Sequence, residues 1–270
     1  SALNVCEQLL QNLGASPSRQ ELEAGMSIWP GPLAFGIGAA LGEIDGLIGL
    51  QRNGGWLTAP PSAILLPSSP SLLEEVDFLL KKEQANKYPL TLKWKIAIKS
   101  QEEEKALLFQ ILERLPTNAR LRLDANAALD RYQAQEWATY FLEEPRLEWL
   151  EQPLAAADLE GLTELAEKIP IALDESLLTN PTLQHSWKSW QVRRPILEGD
   201  PRRLLKELED GIGCRMLSST FETGIGLRWL HHLSALQQKG PTPTAPGLAP
   251  GWCPNSPLFC KDPTIAWEAA

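Results

Sequence analysis

From residue 62 onward, short apolar runs typical of β-strands alternate with amphipathic stretches typical of helices. This alternation and its spacing predict βαβ units built around a parallel sheet. Seven units can be read, and we expect an eighth strand in the proline-rich tail after Thr242. The predicted strands cover residues 62–67, 92–98, 121–124, 147–150, 169–173, 191–194 and 216–218, and the predicted helices cover residues 72–84, 102–115, 130–142, 159–168, 181–187, 201–210 and 224–238.

Two folds contain such units, the (β/α)8 TIM-type barrel and the doubly wound open sheet. A doubly wound sheet that binds dinucleotides needs a glycine-rich loop after its first strand, and this chain has none there. Gly36-Ile37-Gly38 does not qualify because it lies inside a helical pattern over residues 33–47. With 270 residues the chain is long enough for one barrel. We therefore predict an α/β protein with a barrel over residues 56–250.

Residues 1–55 differ from the rest of the chain. They predict helices over residues 3–13, ended by Gly14, and over residues 33–47, with no convincing strand. We expect this part to be a helical lead-in to the barrel, and residues 251–270 to form a separate C-terminal segment.

Composition excludes several classes of partner. The net charge of -9 and a pI near 5.0 argue against general binding to nucleic acid or to anionic membranes. No apolar run approaches the roughly 20 residues that span a bilayer, and no signal-peptide pattern opens the sequence. The four cysteines are scattered without a C-x2-C pair, so we expect free, buried thiols in a cytoplasmic protein.

Three consecutive predicted strands end in an acid: Asp124 in LRLDAN, Glu151 in LEWLEQP and Asp174 in IALDES. One acid at a strand end is more often a helix N-cap, but three spaced by one unit each converge at one end of a barrel. Oxygen ligands without His or Cys suit Mg²⁺, with Mn²⁺ possible. Glu143 and Glu144 are interpreted as solvated charges at the end of a helix.

The second strand carries Lys93-Trp94-Lys95, so the two lysines face the same side. Repulsion at about 4 Å is worth roughly 4 kcal/mol, at most about 3 pKa units, and with burial it would move the pKa of Lys95 toward neutrality. Lys95 could then act as a base. The alternative is an exposed or ion-paired strand end. The residues expected to face the helices are Leu92, Trp94, Ile96 and Ile98.

The sixth strand ends in Arg193-Arg194-Pro195. We expect Arg194, directly before the proline, to point inward. The alternative for this pair, a solvated or salt-bridged surface, remains open.

The K-x-K pair on strand two, followed by acids on strands three to five, resembles the enolase superfamily. Within it, LRLDAN, LEWLEQP, ALDES and SSTFETGIG are most similar to the o-succinylbenzoate synthase family of menaquinone and phylloquinone biosynthesis. The resemblance covers roughly residues 60–235. It implies a lyase that acts on a small-molecule carboxylate, with residues 1–55 as a partial, mostly helical capping segment toward which residues 251–270 return.

Carried to this chain, the resemblance implies that Asp124, Glu151 and Asp174 bind Mg²⁺. It implies that Lys95 removes the proton next to the substrate carboxylate and then assists departure of the hydroxyl in a syn dehydration. Lys93 would add positive charge near the enediolate.

Other residues would support this chemistry. Asn126 and Glu175 would hold the site from behind, and Arg122, two residues before the first acid, would contact the substrate. Ser218 and Ser219 could donate hydroxyl or backbone hydrogen bonds, although helix capping is an equal alternative for that turn.

One departure from the family pattern concerns strand six, where the family has lysine and this chain has Arg194. An arginine base at neutral pH must cross at least about 5 pKa units, or about 7 kcal/mol. This weighs against the racemases and epimerases of the superfamily, which need a base on each face of the substrate. A dehydratase needs only the Lys95 face, and Arg194 can remain a cation. An N-acylamino-acid racemase, a dipeptide epimerase and a catalytically silent ligand-binding barrel remain alternatives.

Overall fold

The computed structural model describes residues 2–52, 54–82, 88–260 and 262–270. The chain divides into two compact units, residues 61–192 and residues 1–60 with 193–270. The domain boundaries at residues 55 and 250 stay a prediction. Within the described ranges, no helix is long and apolar enough to cross a membrane.

Seven strands and thirteen α-helices follow one another along the described chain. The strands are β1 (Ile64–Leu65), β2 (Thr91–Lys95), β3 (Arg120–Asp124), β4 (Leu147–Glu151), β5 (Ile171–Leu173), β6 (Trp190–Arg193) and β7 (Arg215–Leu217). The helices are α1 (Ala2–Leu13), α2 (Arg19–Gly25), α3 (Gly31–Ile44), α4 (Leu72–Lys82), α5 (Gln101–Arg114), α6 (Arg131–Glu143), α7 (Leu159–Ala166), α8 (Glu175–Thr179), α9 (Leu183–Ser186), α10 (Pro195–Glu198), α11 (Pro201–Glu209), α12 (Gly224–Lys239) and α13 (Pro263–Glu268).

The strand order in the sheet is β1-β2-β3-β4-β5-β6-β7, and the strand pairs from β1 to β6 are parallel. A doubly wound sheet reverses its strand order at a switch point, so chain order throughout excludes that alternative. Where we expected an eighth strand, the described tail has one parallel bridge, between Gly247 and Ser218. The expected eighth strand is therefore reduced to a single bridging residue.

The register of the 61–192 unit sets the positions of its polar residues. Lys95 lies beside Asp124, and Asp124 lies beside Glu151. The β3–β4 register shifts between Leu121 and Arg122, where β4 carries one extra residue. The opposite faces of these strands bury a common apolar core against the helices, and the core residues from β2 to β4 are Leu92, Trp94, Leu121, Leu123, Leu147 and Leu150.

Strand β2 ends earlier than its apolar alternation predicts. Ile98 is 57% exposed, so the prediction that it faces the helices is wrong. The buried carboxylate of Glu104 accepts hydrogen bonds from the N–H groups of Ala97, Ile98 and Lys99 at 2.8, 2.9 and 3.0 Å. Ala97 has a φ of 61°, so the backbone leaves the extended conformation there. This capture by Glu104 turns the chain out of the sheet two residues after Lys95.

The longer helices agree with the sequence analysis, and the short ones were missed. Helix α2 begins after Ser18, which forms a capping box with Glu21. Helices α8 and α10, of five and four residues, are too short to show a period. The last two residues of the predicted helix 72–84 lie outside the described residues.

All four cysteines are free, and each is partly exposed rather than fully buried as expected. Residues 2–52 and 54–60 contain helices and no strand, in agreement with a helical lead-in.

Candidate active site

Three carboxylates lie at the carboxyl ends of β3, β4 and β5. Asp124 and Glu151 are the last residues of their strands, and Asp174 follows β5 directly. All three are buried, Glu151 completely. Burial, followed by repulsion from Asp124 and then Asp174, raises the pKa of Glu151 to about 7, against a partial offset from Lys93. The three acids therefore act on one another electrostatically.

Lys93 lies between two of these acids. Its Nζ is 2.8 Å from Asp124 Oδ2 and 2.7 Å from Glu151 Oε1. Burial opposes its charged form most strongly, but the two carboxylates together outweigh burial and raise its pKa. The sequence analysis considered Lys93 mainly as a neighbour of Lys95, whereas the structure shows it as the counter-ion of two acids.

Lys95 contacts a different set of groups. Its Nζ donates to Asn126 Oδ1 at 2.7 Å, and Asn126 Nδ2 donates to Glu175 Oε1 at 3.2 Å. The N–H of Asn126 also donates to Asp124 Oδ1 at 3.1 Å, from a left-handed backbone with a φ of 45°. The structure thus brings Lys95, Asn126 and Glu175 into one hydrogen-bonded chain next to the acids.

Arg122 lies one register level below, beside Lys93 and Trp149. It is fully buried, donates to Glu148 Oε2 at 2.7 Å, and holds its guanidinium carbon 4.1 Å from the Trp149 ring centroid. These contacts fix the side chain by an ion pair and a cation–π interaction. Contact between Arg122 and a substrate stays a prediction.

The remaining predicted residues belong to the unit of residues 1–60 and 193–270. Arg194 is half-buried, and its Nη1 donates to the backbone oxygen of Ser219 at 3.1 Å. Arg193 is instead buried among carboxylates and pairs with Glu198 and Glu207 at 2.6 and 2.9 Å. Of the two arginines, Arg193 therefore belongs to the ion-paired interior.

The turn after β7 is organised by an acid that the sequence analysis did not single out. Glu222 accepts hydrogen bonds from the Ser219 hydroxyl at 2.6 Å and from the Thr220 N–H and hydroxyl. Helix α12 begins at Gly224 after Thr223, which makes no side-chain cap. Helix capping is thus not the role of Ser218 or Ser219, and substrate contact stays a prediction for both.

Two further residues were missed because their contacts depend on backbone shape. Gln152 is buried directly after Glu151, and Glu104 holds the loop after β2. The only signal was local: Gln152 sits in the LEQP motif, and Glu104 lies in the first turn of α5.

The donor set was tested for a metal ion. Among the described residues, no three His, Cys, Asp or Glu side chains are arranged around a common metal position, and Lys93 Nζ occupies the space between Asp124 and Glu151. The chemistry of the donors nevertheless fits a hard divalent cation, because all are carboxylate oxygens. The pKa of about 7 at Glu151 also shows that Lys93 alone does not balance the acidic charge.

Comparisons with known proteins agree with this geometry. Residues 80–189 match the family described as enolase C-terminal domain-like. In a structure of o-succinylbenzoate synthase from Thermosynechococcus elongatus BP-1 with Mg in its active site, the similar region covers 99% of this chain and 83% of that chain, with a TM-score of 0.78 and 27% identity. A dipeptide epimerase from Enterococcus faecalis superposes with a TM-score of 0.70 at 21% identity, over 94% of this chain and 77% of that one.

The fold is therefore the (β/α) barrel of the enolase superfamily, as the sequence predicted. Within that class, the chain is similar to o-succinylbenzoate synthase. It is 34% identical to the synthase of Thermosynechococcus vestitus over 183 residues, or 64% of this chain and 55% of that protein. It is 27% identical to the synthase of Salmonella arizonae over 223 residues, or 80% and 65%. The chain thus spans between half and two thirds of the length of these curated relatives.

Proposed function

We propose that this protein is an o-succinylbenzoate synthase, a divalent-metal-dependent hydro-lyase of menaquinone or phylloquinone biosynthesis. It would convert 2-succinyl-6-hydroxy-2,4-cyclohexadiene-1-carboxylate to 2-succinylbenzoate by syn dehydration. The observation that carries the proposal is the register row of Lys95, Asp124 and Glu151, which sets an amine beside buried acids at adjacent strand ends.

Asp124, Glu151 and Asp174 would hold the metal, Mg²⁺ or Mn²⁺. When bound, the ion supplies Lewis-acid stabilisation for the negative charge that develops on the substrate carboxylate. Lys93 supports the same charge as a permanent cation, because its two carboxylate neighbours keep it protonated.

Lys95 would carry the proton. Its neutral amine takes the proton from the carbon next to the carboxylate, and the electron pair enters the enediolate. The carbon–oxygen bond to the ring hydroxyl then breaks, a new double bond completes the aromatic ring, and the Lys95 ammonium returns the proton to the departing hydroxyl as water. The hydrogen bond to Asn126 orients the Lys95 nitrogen, and Glu175 in turn orients Asn126.

We propose substrate contacts for Arg122, Ser218 and Ser219. Arg194 would remain a cation throughout, because an arginine base is too costly at neutral pH.

The test is loss of the cyclohexadiene absorbance when the protein meets this substrate with Mg²⁺, against a sample containing a chelator. Lys95→Ala should abolish the change, whereas Lys99→Ala, at an exposed side chain, should preserve it. An unchanged absorbance with Mg²⁺ present would refute the proposed function. Full activity in Lys95→Ala would refute the assignment of the base.

The epimerase alternative has a separate test. The similarity to the dipeptide epimerase, at 21% identity, extends to the fold alone. Since Arg194 is a poor base, we expect deuterium exchange at the α-carbon of an amino-acid derivative from one face at most. Exchange with both enantiomers would favour a racemase or epimerase, and binding of carboxylates without turnover or exchange would favour a silent barrel.

A further inference from the structure

Gln152 occupies a central position among the loops that carry the three acids. It follows Glu151 directly and has a left-handed backbone with a φ of 36°. Its N–H donates to the Ala172 oxygen at 2.8 Å, and its own carbonyl accepts from the Ala127 N–H at 2.7 Å. The backbone of this one residue therefore bonds to the β5 strand on one side and to the loop after β3 on the other.

The side chain of Gln152 reaches the turn after β5. Its Oε1 accepts the N–H groups of Asp174 and Ser176, both at 3.1 Å. Its Nε2 donates to the Ser176 hydroxyl at 2.7 Å and to the Leu154 oxygen at 2.9 Å. A primary amide offers two donors and two acceptor sites, and all four are used here. The residue has no solvent exposure, so these bonds have no competition from water.

That turn carries two groups of the candidate site. Asp174 provides the third carboxylate, and Glu175, the first residue of α8, accepts the hydrogen bond from Asn126. Asp174 has no side-chain capping bond of its own, and its backbone, at φ -121° and ψ -78°, is neither helical nor extended. The backbone at Asp174 therefore depends on an outside partner, and Gln152 is that partner.

We propose that Gln152 is a positioning residue that sets the Asp174 carboxylate relative to Glu151 and Asp124 for binding a divalent cation. This inference rests on the proposed function, because it assumes that the three acids share a metal. An apolar residue at 152 would leave two buried N–H groups without acceptors. A glutamate there would lose the two donated bonds and add a fourth buried negative charge.

The experiment compares Gln152→Met with Gln191→Met. Gln191 is an equally buried glutamine of the same unit, whose Nε2 donates only to backbone carbonyls of the segment before β6. Both changes remove a buried amide of the same size, so their effects on the free energy of unfolding in urea should be similar. The measured quantity is the dissociation constant for Mn²⁺ alone, from the electron paramagnetic resonance signal of the free ion.

We expect Gln152→Met to weaken Mn²⁺ binding by about 10–100-fold, as loss of such supporting partners does elsewhere. Gln191→Met should leave the dissociation constant within about twofold of the unmodified value. Ser176→Ala, which removes only one of the four partners, should weaken binding several-fold, and it decides the matter if Gln152→Met does not fold.

Unchanged Mn²⁺ binding in Gln152→Met, or in Ser176→Ala if the first variant does not fold, would overturn the inference while dehydration by the unmodified protein would still support the proposed function. Weakened Mn²⁺ binding in a protein without dehydratase activity would uphold the role of Gln152 and refute the synthase. Failure of the unmodified protein to bind Mn²⁺ would overturn both the inference and the metal site.

Discussion

The buried carboxylate of Glu151 makes a specific prediction for the pH dependence of stability without metal. Its pKa is about 7 in the folded protein, against 4.5 for the model group. Between these values the folded state holds a proton that the unfolded state has released. The free energy of unfolding must therefore fall as pH rises through this interval.

The size of the fall follows from the two pKa values. Their difference, at about 1.4 kcal/mol per pKa unit, amounts to about 3 kcal/mol between pH 4.5 and pH 7. Below this interval Glu151 is protonated in both states, and above it the carboxylate is ionised in both. The stability should then be level on either side.

Another group titrates in the opposite sense and must be separated. Burial lowers the pKa of His232 to about 4 from 6.5, so its contribution to stability is present above pH 6.5 and is lost as pH falls through 4. In the unmodified protein the two effects largely cancel. The difference between the unmodified protein and Glu151→Gln removes the His232 contribution, because both proteins contain this histidine.

The assay is urea unfolding followed by tryptophan fluorescence from pH 4.5 to 8 in the presence of a chelator. The stability of the unmodified protein relative to Glu151→Gln should decrease by about 3 kcal/mol over this range. Excess Mn²⁺ should abolish the decrease, because a cation binds the ionised carboxylate. A difference that stays level, or rises with pH, would show that Lys93 alone keeps Glu151 ionised, and the charge argument for a metal would fail.

Three further predictions test separate parts of the structure. Lys95→Ala should lower the rate of dehydration by about 10²–10⁴-fold, measured by absorbance, while Mn²⁺ binding is retained; loss of both would indicate a collapsed site. Glu104→Gln should lower the free energy of unfolding by about 2–4 kcal/mol, because three buried N–H groups lose a charged acceptor, whereas Glu103→Gln, in the exposed capping box of α5, should cost under about 1 kcal/mol, and equal losses would contradict the clamp. Gly224→Ala should lower the melting temperature because a Cβ there meets a backbone carbonyl of the C-terminal tail, whereas Gly36→Ala, which meets nothing within 4 Å, should gain about 0.5–1 kcal/mol; the reverse order would refute the packing at α12.

The sequence predicted the strands and the three acids because both depend on local pattern. Each acid ends an apolar run, and the runs recur at the length of one βαβ unit, so Asp124, Glu151 and Asp174 could be selected without coordinates. The pairing of Lys93 with two acids could not be selected in the same way. Period two assigns a side chain to a face, but it does not say how far a long side chain extends along that face.

The supporting residues were hidden for a related reason. Gln152 and Asn126 both have positive φ values, 36° and 45°, at positions where no glycine marks the turn. Glu104 resembles any acid in the first turn of a helix, and its role depends on a loop that bends back over it. These contacts join segments distant in sequence or depend on strained backbone, and neither leaves a periodic signal.

The single extra residue in β4 has a consequence for any length change in that strand. Asp124 is three positions beyond Leu121, whereas Glu151 is four positions beyond Leu147, although Leu121 and Leu147 are neighbours. Because side chains alternate, an odd and an even count reach the same side only through this offset. Deleting one residue between 147 and 150 would exchange the two faces of β4, turning Glu151 among the helices and Leu150 toward the lysines, while the composition of the strand stayed nearly the same.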